Sequence, residues 1–241
     1  GKPFYFPRSA SLEWESSIAH EMFVQNAPYS TQRSTLAITC FGMGVWIGGL
    51  ITHRAFQIVG ERGYPISVVS PGINKIEIFN ALRELAPNFK QTILAGYPPL
   101  IKDILDEASD QGINLAKLHI RILFAAEPFG EKFREYVFEK IKGKNIHTDT
   151  LNIYGTADIG AMAYETPTTI LIRRLAAKDR ALFGALFPEV QKTPTLTQYN
   201  PLFITFESIK GKIFLTGNNT FPLIRYDIGD HGGVFTFGEI I

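Results

Sequence analysis

The chain has 241 residues, of which 45% are hydrophobic and 20% are charged, and its formal net charge is +1 at pH 7. This length suits one large domain or two small ones with a packed core. The near-neutral charge offers no basic excess for nucleic acid, so we predict no nucleic-acid partner. Cys40 is the only cysteine in the sequence, which excludes an internal disulfide and favours a reducing, cytoplasmic compartment.

Apolar runs of strand length alternate with helix-periodic segments over the first two thirds of the chain. Strands are predicted at residues 35–40, 65–69, 92–95, 119–125 and 150–154. Helices are predicted near residues 45–61, 74–86, 98–111 and 131–142, with Asn74 and Gly130 at N-cap positions. Buried strands separated by helices are typical of an α/β fold with a mostly parallel sheet and helices on both faces.

Residues 34–52 carry no charge, which raises the question of a membrane span. A spanning helix needs about 20 predominantly apolar residues, whereas this stretch holds four glycines and several hydroxyl groups. A buried strand, a glycine turn and the start of a helix fit the stretch better, and we predict no membrane association. Cys40 lies in its apolar part and is predicted to be a buried packing residue.

The pattern changes after about residue 165. Residues 172–187 predict one further helix, on which Arg173 and Arg174 are assigned to a solvated face, with a phosphate contact as the alternative. Short alternating runs at 202–207, 212–216 and 223–226 predict antiparallel strands, with a hairpin turn at residues 210–212. The sequence therefore predicts a parallel body over residues 1–165 and a smaller β-rich subdomain over residues 166–241.

Three polar clusters follow predicted strands, at residues 96–99, 125–128 and 154–158. Ligands of parallel sheets bind at the carboxyl ends of the strands. Small side chains at Ala125 and Ala126 would let a planar base lie against the backbone, with Tyr154 over its other face. The alternatives are a helix-entry turn at Glu127–Pro128 and a rim aromatic at Tyr154.

Two aspartates are candidate ligands for a nucleotide or its metal ion. A magnesium ion takes one or two carboxylates together with phosphate oxygens, and a ribose diol is usually bound by one carboxylate. Asp158 and Asp230 are the candidates, and Gly229 permits a tight turn that aims Asp230 inward. An ordinary surface turn is the alternative for each aspartate.

The glycines of residues 42–48 follow a strand and precede a helix, as in a dinucleotide fingerprint. The third glycine comes one position late, and Met43 and Trp46 crowd the place of a pyrophosphate. Close packing of helix on strand, or an apolar substrate pocket, is therefore the favoured interpretation, with a nicotinamide-dependent oxidoreductase as the alternative.

Segments 125–128, 153–158 and 223–230 resemble, in this order, three signatures of adenylate-forming (acyl- and aryl-CoA synthetase-like) enzymes. The most similar branch is that of the phenylacetate–coenzyme A ligases. Residues 41–50 are similar to its aromatic-glycine segment, and Gly1-Lys2-Pro3 is similar to the end of its phosphate loop. The resemblance implies the large N-terminal domain of such an enzyme, incomplete at both ends and without the C-terminal domain that carries the family's catalytic lysine.

The resemblance implies a ligase that uses ATP and Mg²⁺ to convert a carboxylic acid into an acyl-adenylate, and then transfers the acyl group to a thiol such as coenzyme A. Residues 1–165 would bind the nucleotide and the acyl group, and residues 166–241 would close the nucleotide site. The implied roles are adenine binding by Ala125, Ala126, Glu127, Pro128, Tyr154 and Gly155, ribose binding by Asp230, α-phosphate binding by Thr156, Mg²⁺ binding by Asp158, and catalysis by Thr156 and Asp158. The implied acyl pocket comprises Phe41, Gly42, Met43, Trp46, Gly96, Tyr97 and Pro98.

Several finer points stay open at the level of sequence. The apolar residues near the glycine segment favour an aryl or other apolar acid, and members of this branch in antibiotic (phenazine-like) or polysaccharide pathways can pass the acid to a reductase or another acceptor. Asp158 stands where the family usually has glutamate, which motivates a non-catalytic AMP-binding relative as a further alternative. A homodimer is a further open expectation.

Overall fold

Two β-sheets and the helices packed on them form the chain. The computed structural model describes residues 5–26, 33–44, 46–188, 190–218 and 222–240. Within these residues a seven-stranded sheet has the order β2-β1-β3-β4-β5-β6-β7, and a three-stranded sheet has the order β10-β9-β8. The strands are β1 (Thr35–Cys40), β2 (Ile66–Val69), β3 (Gln91–Gly96), β4 (Ile120–Ala125), β5 (Thr150–Thr156), β6 (Gly160–Tyr164), β7 (Gln198–Tyr199), β8 (Ile204–Ile209), β9 (Lys212–Asn218) and β10 (Pro222–His231).

The helices connect the strands and cover the larger sheet. They are α1 (Ala10–Gln25), α2 (Gly48–Glu61), α3 (Lys75–Asn80), α4 (Pro98–Glu107), α5 (Glu131–Lys140), α6 (Ile146–Asp149), α7 (Pro167–Ala176), α8 (Arg180–Leu186) and α9 (Phe237–Ile240). Short 3₁₀ turns at Ala86–Asn88 and Leu115–Lys117 complete the connections.

The larger sheet is mostly parallel. Strands β1 to β5 pair in parallel, and β6 and β7 then add to the β5 edge in antiparallel orientation. The central strands β1 and β3 are buried along their whole length, as expected of strands covered on both faces. The predicted fold class is confirmed, and β7 shows that the larger sheet also includes residues beyond 165.

Alternate side chains of β1 enter two separate hydrophobic layers. Leu36 and Ile38 pack against residues of α3, α4 and α5, while Ala37 packs with Phe23 of α1 and Phe56 of α2. Because successive side chains of a strand point to opposite faces, this division produces three layers, with helices on each side of the sheet.

The smaller sheet packs on the antiparallel edge of the larger one. Its Phe206 and Leu215 share a buried cluster with Met162 and Ala163 of β6. Strands β8 and β9 join through a tight turn in which Lys210 and Gly211 have φ angles of 53° and 74°. Two successive positive φ angles are typical of a type I′ hairpin turn, so the predicted hairpin is confirmed.

Two helix predictions need correction. Residues 172–187 form parts of two helices, because Asp179 accepts hydrogen bonds from the backbone nitrogens of Ala181 and Leu182 and begins α8. The predicted helix at 74–86 is α-helical only to Asn80 and continues as a π-helical turn at Ala81–Leu85. Pro87 lies in the 3₁₀ turn that follows, where the lack of an N–H prevents a further α-helical turn.

The uncharged stretch of residues 34–52 contains β1, a turn and the start of α2, as predicted. Cys40 is fully buried and unpaired, also as predicted. Across the described ranges, none of the helices combines the length and the apolar character that crossing a membrane requires.

Candidate functional site

The carboxyl ends of neighbouring parallel strands meet at one edge of the larger sheet. Cys40 of β1 lies opposite Gly96 of β3, and Gly96 lies opposite Phe124 of β4. Ala125 at the end of β4 lies opposite Ile153 of β5. The residues that follow these positions therefore emerge next to one another along the edge.

A hydrogen bond connects the polar motif at the end of β5 with the polar motif on β10. The Tyr154 hydroxyl donates to Asp230 Oδ2 over 2.5 Å, although the residues are 76 positions apart. Burial, and then the hydrogen bond to Asp230, raise the pKa of Tyr154 well above its usual value. The tyrosine is therefore a neutral donor at physiological pH, and the larger and smaller sheets contribute to one polar cluster.

A second tyrosine connects the sheets in the opposite sense, from the smaller sheet to the larger one. The hydroxyl of Tyr226, on β10, donates to Asp158 Oδ2 over 2.8 Å. This hydrogen bond, together with burial, raises the pKa of Tyr226. Each sheet thus contributes one tyrosine and one aspartate, and each tyrosine bonds the aspartate of the other sheet. We call Tyr154, Asp158, Tyr226 and Asp230 the crossed tyrosine–aspartate pairs.

Thr156 is the last residue of β5, and Ala157 and Asp158 lie in the turn that leads to β6. Thr156 Oγ1 is buried without a hydrogen-bond partner. An unpaired buried hydroxyl costs free energy unless a ligand or water supplies the bond. The Arg8 side chain reaches this turn and donates from Nη2 to the Ala157 carbonyl oxygen over 2.5 Å.

The turn after β4 contains a residue in a rare backbone conformation. Ala126 has a φ angle of 76°, in the left-handed region that favours glycine. Ala126, Glu127 and Pro128 are exposed, whereas the preceding β4 residues are buried. Strain of this kind is maintained only where the surrounding structure enforces it, and buried charged groups bind the backbone at Phe129, three residues after Ala126.

These groups form an ionic network beneath the turn. Arg134 and Glu165 have no exposed surface, and Arg173 and Glu131 are 1% and 8% exposed. We call these four residues the buried ionic network. Arg134 binds both carboxylate oxygens of Glu165, at 2.7 and 2.8 Å. The charges of two arginines and two glutamates balance, as burial of ions requires.

The buried ionic network holds the turn through its backbone. Arg173 donates to the Phe129 carbonyl oxygen and, over 2.8 Å, to Glu131. Glu165 also accepts a hydrogen bond from the backbone nitrogen of Asn152 on β5. The network therefore fixes the end of β4 relative to β5 and α7, and the prediction that Arg173 lies on a solvated face is wrong.

The residues predicted to line an acyl pocket fall into two groups. Phe41 and Tyr97 pack in the apolar layer between the larger sheet and helices α1 and α2, and Gly96 and Pro98 are buried. Met43 and Trp46 instead are 38% and 78% exposed. Gly42 lies against Trp46, where an added Cβ would come within 3.1 Å of the Trp46 Cβ.

Close packing at the end of β3 leaves no room for a side chain at position 96. An added Cβ would lie 2.8 Å from Ile101 Cδ1 and 3.1 Å from Cys40 Cβ. In the 42–49 segment, close packing is the structural role that the coordinates support, because a Cβ on Gly49 would lie 2.6 Å from the Gly42 carbonyl oxygen.

The structure gives little information on two predictions, the phosphate loop and the metal site. Gly1-Lys2-Pro3, the proposed end of a phosphate loop, lies outside the described residues. Among the residues that are described, no group of three or more His, Cys, Asp or Glu side chains forms a metal cluster. Asp158 nevertheless fits a Mg²⁺ ion held mainly by phosphate oxygens, because such an ion needs only one or two carboxylates.

Sequence reasoning missed three contributions to this site. Tyr226 was part of a recognised motif but had no assigned role, Arg8 occurred outside every motif, and the network residue Glu165 marked only a domain boundary. The threonines and proline at residues 166–169, typical of a helix start, could have indicated that α7 begins directly after Glu165.

The fold is similar to those of several solved ligases. It is similar to 2-hydroxyisobutyryl-CoA ligase in an open conformation in complex with 2-HIB-AMP and CoA, with a TM-score of 0.64, 12% identity, and coverage of 95% of this chain and 50% of the ligase. The same ligase in its thioesterification state gives a TM-score of 0.64 at 12% identity, with coverage of 95% and 45%.

Coronafacic acid ligase from Pectobacterium brasiliense also has this fold, with a TM-score of 0.56, 10% identity, and coverage of 94% of this chain and 39% of the ligase. The chain thus spans half the length of these solved structures or less. No protein-family model matches the chain, and no curated protein sequence matches it. The sequence resemblance to adenylate-forming enzymes is therefore supported at the level of the fold.

Proposed function

We propose that this chain is the nucleotide- and acid-binding part of an ATP-dependent ligase. The reaction joins a carboxylate oxygen to the α-phosphorus of ATP, releases pyrophosphate, and forms an acyl-adenylate. A thiol such as that of coenzyme A then attacks the acyl carbon and displaces AMP. The proposed domain division is a body of residues 1–165 and a β-rich part of residues 166–241 that closes the nucleotide site.

The single observation that carries this proposal is the hydrogen bond between Tyr154 and Asp230. It brings an aromatic ring suited to stack on adenine next to a carboxylate suited to bind a ribose diol, at the edge where α/β sheets bind ligands. In the proposal Ala125 to Pro128 form the backbone wall for the base. The exposed Asp230 carboxylate is accessible to the ribose.

The phosphate end of the nucleotide lies at the β5–β6 turn in this proposal. The Thr156 hydroxyl, which is buried without a partner, donates to an α-phosphate oxygen and thereby gains the hydrogen bond that it lacks. Asp158 would hold a Mg²⁺ ion through its Oδ1 atom, since Oδ2 accepts the Tyr226 hydrogen bond. When bound, the ion neutralises phosphate charge, which is the main electrostatic requirement of such transfers.

The acid substrate in this proposal is an aryl or other apolar acid. Phe41 and Tyr97 directly follow β1 and β3, and so lie at the same edge of the larger sheet as the end of β5. An uncharged, largely apolar lining favours such a substrate. The acceptor is coenzyme A or another thiol, and transfer to a reductase or a different acceptor is the alternative outcome.

A non-catalytic AMP-binding protein is the second candidate function. The observation that favours it is the short Asp158 side chain, which the Tyr226 hydroxyl already binds. Such a protein would keep the adenine and ribose contacts but would not catalyse turnover.

The test is a thermal-shift comparison of AMP, ATP with Mg²⁺, and NAD(P), followed by carboxylate-dependent pyrophosphate exchange over a panel of aryl and aliphatic acids. We expect stabilisation by AMP and by ATP with Mg²⁺, and exchange with at least one acid. AMP binding without exchange would favour the non-catalytic candidate. Stabilisation by NAD(P) alone would refute both and favour an oxidoreductase.

A further inference from the structure

Arg8 lies immediately before α1 but contacts a turn that is 149 residues away in sequence. Its Nη2 atom donates to the Ala157 carbonyl oxygen, and a Cβ built on Gly160 would lie 3.5 Å from its Nη1 atom. The hydrogen bond and this distance place the guanidinium beside the turn between Ala157 and Gly160.

Polar groups without partners converge on the same face of this turn. Thr156 lies opposite Gly160 in the β5–β6 hairpin, and directly opposed residues of antiparallel strands point to the same face. The side of Gly160 where a Cβ would lie faces Arg8 and Ser16 of α1. The hydroxyl oxygens of Thr156 and Ser16 are both buried without a hydrogen-bond partner, and Ser16 is only 1% exposed.

The charge of Arg8 suits an anion at this position. Burial lowers the pKa of Arg8, while Glu13 and Asp158 act in the opposite direction, so the group stays cationic near neutral pH. Within the described part of the chain, Arg8 makes no ion pair, and its hydrogen bond to Ala157 leaves other N–H donors of the guanidinium available. A phosphate beside Asp158 would be repelled by the carboxylate, and a neighbouring guanidinium offsets this repulsion.

We propose that Arg8 is an additional phosphate-binding residue, which holds an oxygen of the nucleotide α-phosphate together with the Thr156 hydroxyl. This assignment rests on the proposed function, because it requires a nucleotide at the β5–β6 turn. The planar guanidinium presents paired donors that match two phosphate oxygens. The N-terminus of α1, which begins at Ala10, adds a favourable partial positive charge nearby.

The test compares the affinities of AMP and adenosine by isothermal titration calorimetry, because the two ligands differ only in the phosphate. For Arg8→Gln we expect AMP affinity to fall by about tenfold or more, as for the loss of a charged hydrogen bond, with adenosine affinity unchanged. Arg8→Lys keeps the charge without the planar fork, and should lie between the wild type and Arg8→Gln.

Arg54→Gln is the matched control. Arg54 also contacts α1, through Glu13 at 3.3 Å, but none of its hydrogen bonds is to the β5–β6 turn. It should leave the affinities of both ligands unchanged. If Arg8→Gln proves too unstable to titrate, the ratio of AMP to adenosine affinity in Arg8→Lys provides the test, and an unchanged ratio would overturn the proposal.

Two further outcomes separate the Arg8 assignment from the proposed function. An equal loss of AMP and adenosine affinity in Arg8→Gln, or no loss of either, refutes a phosphate contact while the nucleotide site stands. Wild-type protein that binds neither ligand refutes the nucleotide site itself, and the role of Arg8 with it.

Discussion

The crossed tyrosine–aspartate pairs and the buried ionic network use similar chemistry for opposite purposes. Each crossed pair has one hydroxyl–carboxylate bond near the surface, where Asp230 is exposed to solvent. In the network, by contrast, every charged group is nearly or fully buried and Glu165 accepts from two arginines and one backbone nitrogen. The first arrangement can exchange partners with a ligand, and the second cannot exchange without exposing buried charge.

We infer that the two clusters have different roles at the sheet edge, one in binding a ligand and the other in positioning the turn that binds it. Groups that bind a ligand must retain unused or replaceable hydrogen bonds, whereas groups that position the binding turn need a unique geometry. Three of the following four predictions examine this difference, the His20 prediction concerns helix α1, and all four are given in order of decreasing effect.

Glu165→Gln should have the largest effect on stability. Removal of one charge leaves Arg134 and Arg173 buried with a single remaining carboxylate, and loss of one partner of a buried pair typically costs about 3–5 kcal/mol. Urea denaturation of the variant and the wild type measures the difference in unfolding free energy.

The matched control is Glu207→Gln, which breaks the exposed ion pair between Glu207 and Arg225 at 2.9 Å. Exposed pairs contribute about 1 kcal/mol or less. Equal losses for Glu165→Gln and Glu207→Gln would contradict the structural distinction between the network and a surface pair.

His20 should make stability depend on pH. Burial lowers its pKa from 6.5 to about 4, so the unfolded chain takes up a proton at higher pH than the folded chain. Stability is therefore retained above about pH 6.5 and decreases as the pH falls towards 4, by roughly 2–3 kcal/mol at pH 4.5.

Unfolding free energies of the wild type and His20→Gln at pH 7 and pH 4.5 measure this effect. Carboxylates titrate in both proteins, so the change attributable to His20 is the difference between their pH dependences. Parallel profiles for the two proteins would show that His20 does not cause the loss.

Asp230→Ala should affect binding much more than folding. We expect AMP to bind about 1.5–3 kcal/mol more weakly, the range for a lost hydrogen bond to a charged group. The unfolding free energy should change little, since the side chain is exposed. Calorimetric titration with AMP and urea denaturation give both quantities, and unchanged AMP affinity would remove Asp230 from the site.

Tyr154→Phe and Tyr226→Phe should each change stability by about 1 kcal/mol or less, because each variant loses one partly exposed hydrogen bond. The variants should differ in their response to Mg²⁺. Tyr226→Phe frees the second oxygen of Asp158 and should lower the Mg²⁺ concentration needed for ATP binding, whereas Tyr154→Phe should not. If the two variants needed the same Mg²⁺ concentration for ATP binding, Asp158 would not be a Mg²⁺ ligand.

Much of the fold was predictable because its strands carry strong local signals. The mostly apolar runs of β1, β3 and β4 are each six residues long and are each followed by a helix-periodic segment. Helix α1 gave no such signal, since its buried face includes Ser16, Ser17 and His20 in place of large apolar residues. The break at Asp179 was missed because the surrounding residues continue a helical pattern.

The site was predictable only where its residues form local motifs. The segments that contain Tyr154, Asp158 and Asp230 could be identified from sequence, but which tyrosine bonds which aspartate depends on how the smaller sheet packs. Arg8 and Glu165 carry no local signal, because their contacts are tertiary and join residues distant in sequence.

Residues of the β5–β6 hairpin contribute to the packing of both sheets. Its strands belong to the larger sheet, while Ile159 and Met162 lie in the core of the smaller one. Any rotation of the smaller sheet would therefore be transmitted through the element that also carries Tyr154 and Asp158. Under the proposed function, a nucleotide in contact with Tyr154 and Asp158 would therefore also restrict the orientation of the smaller sheet.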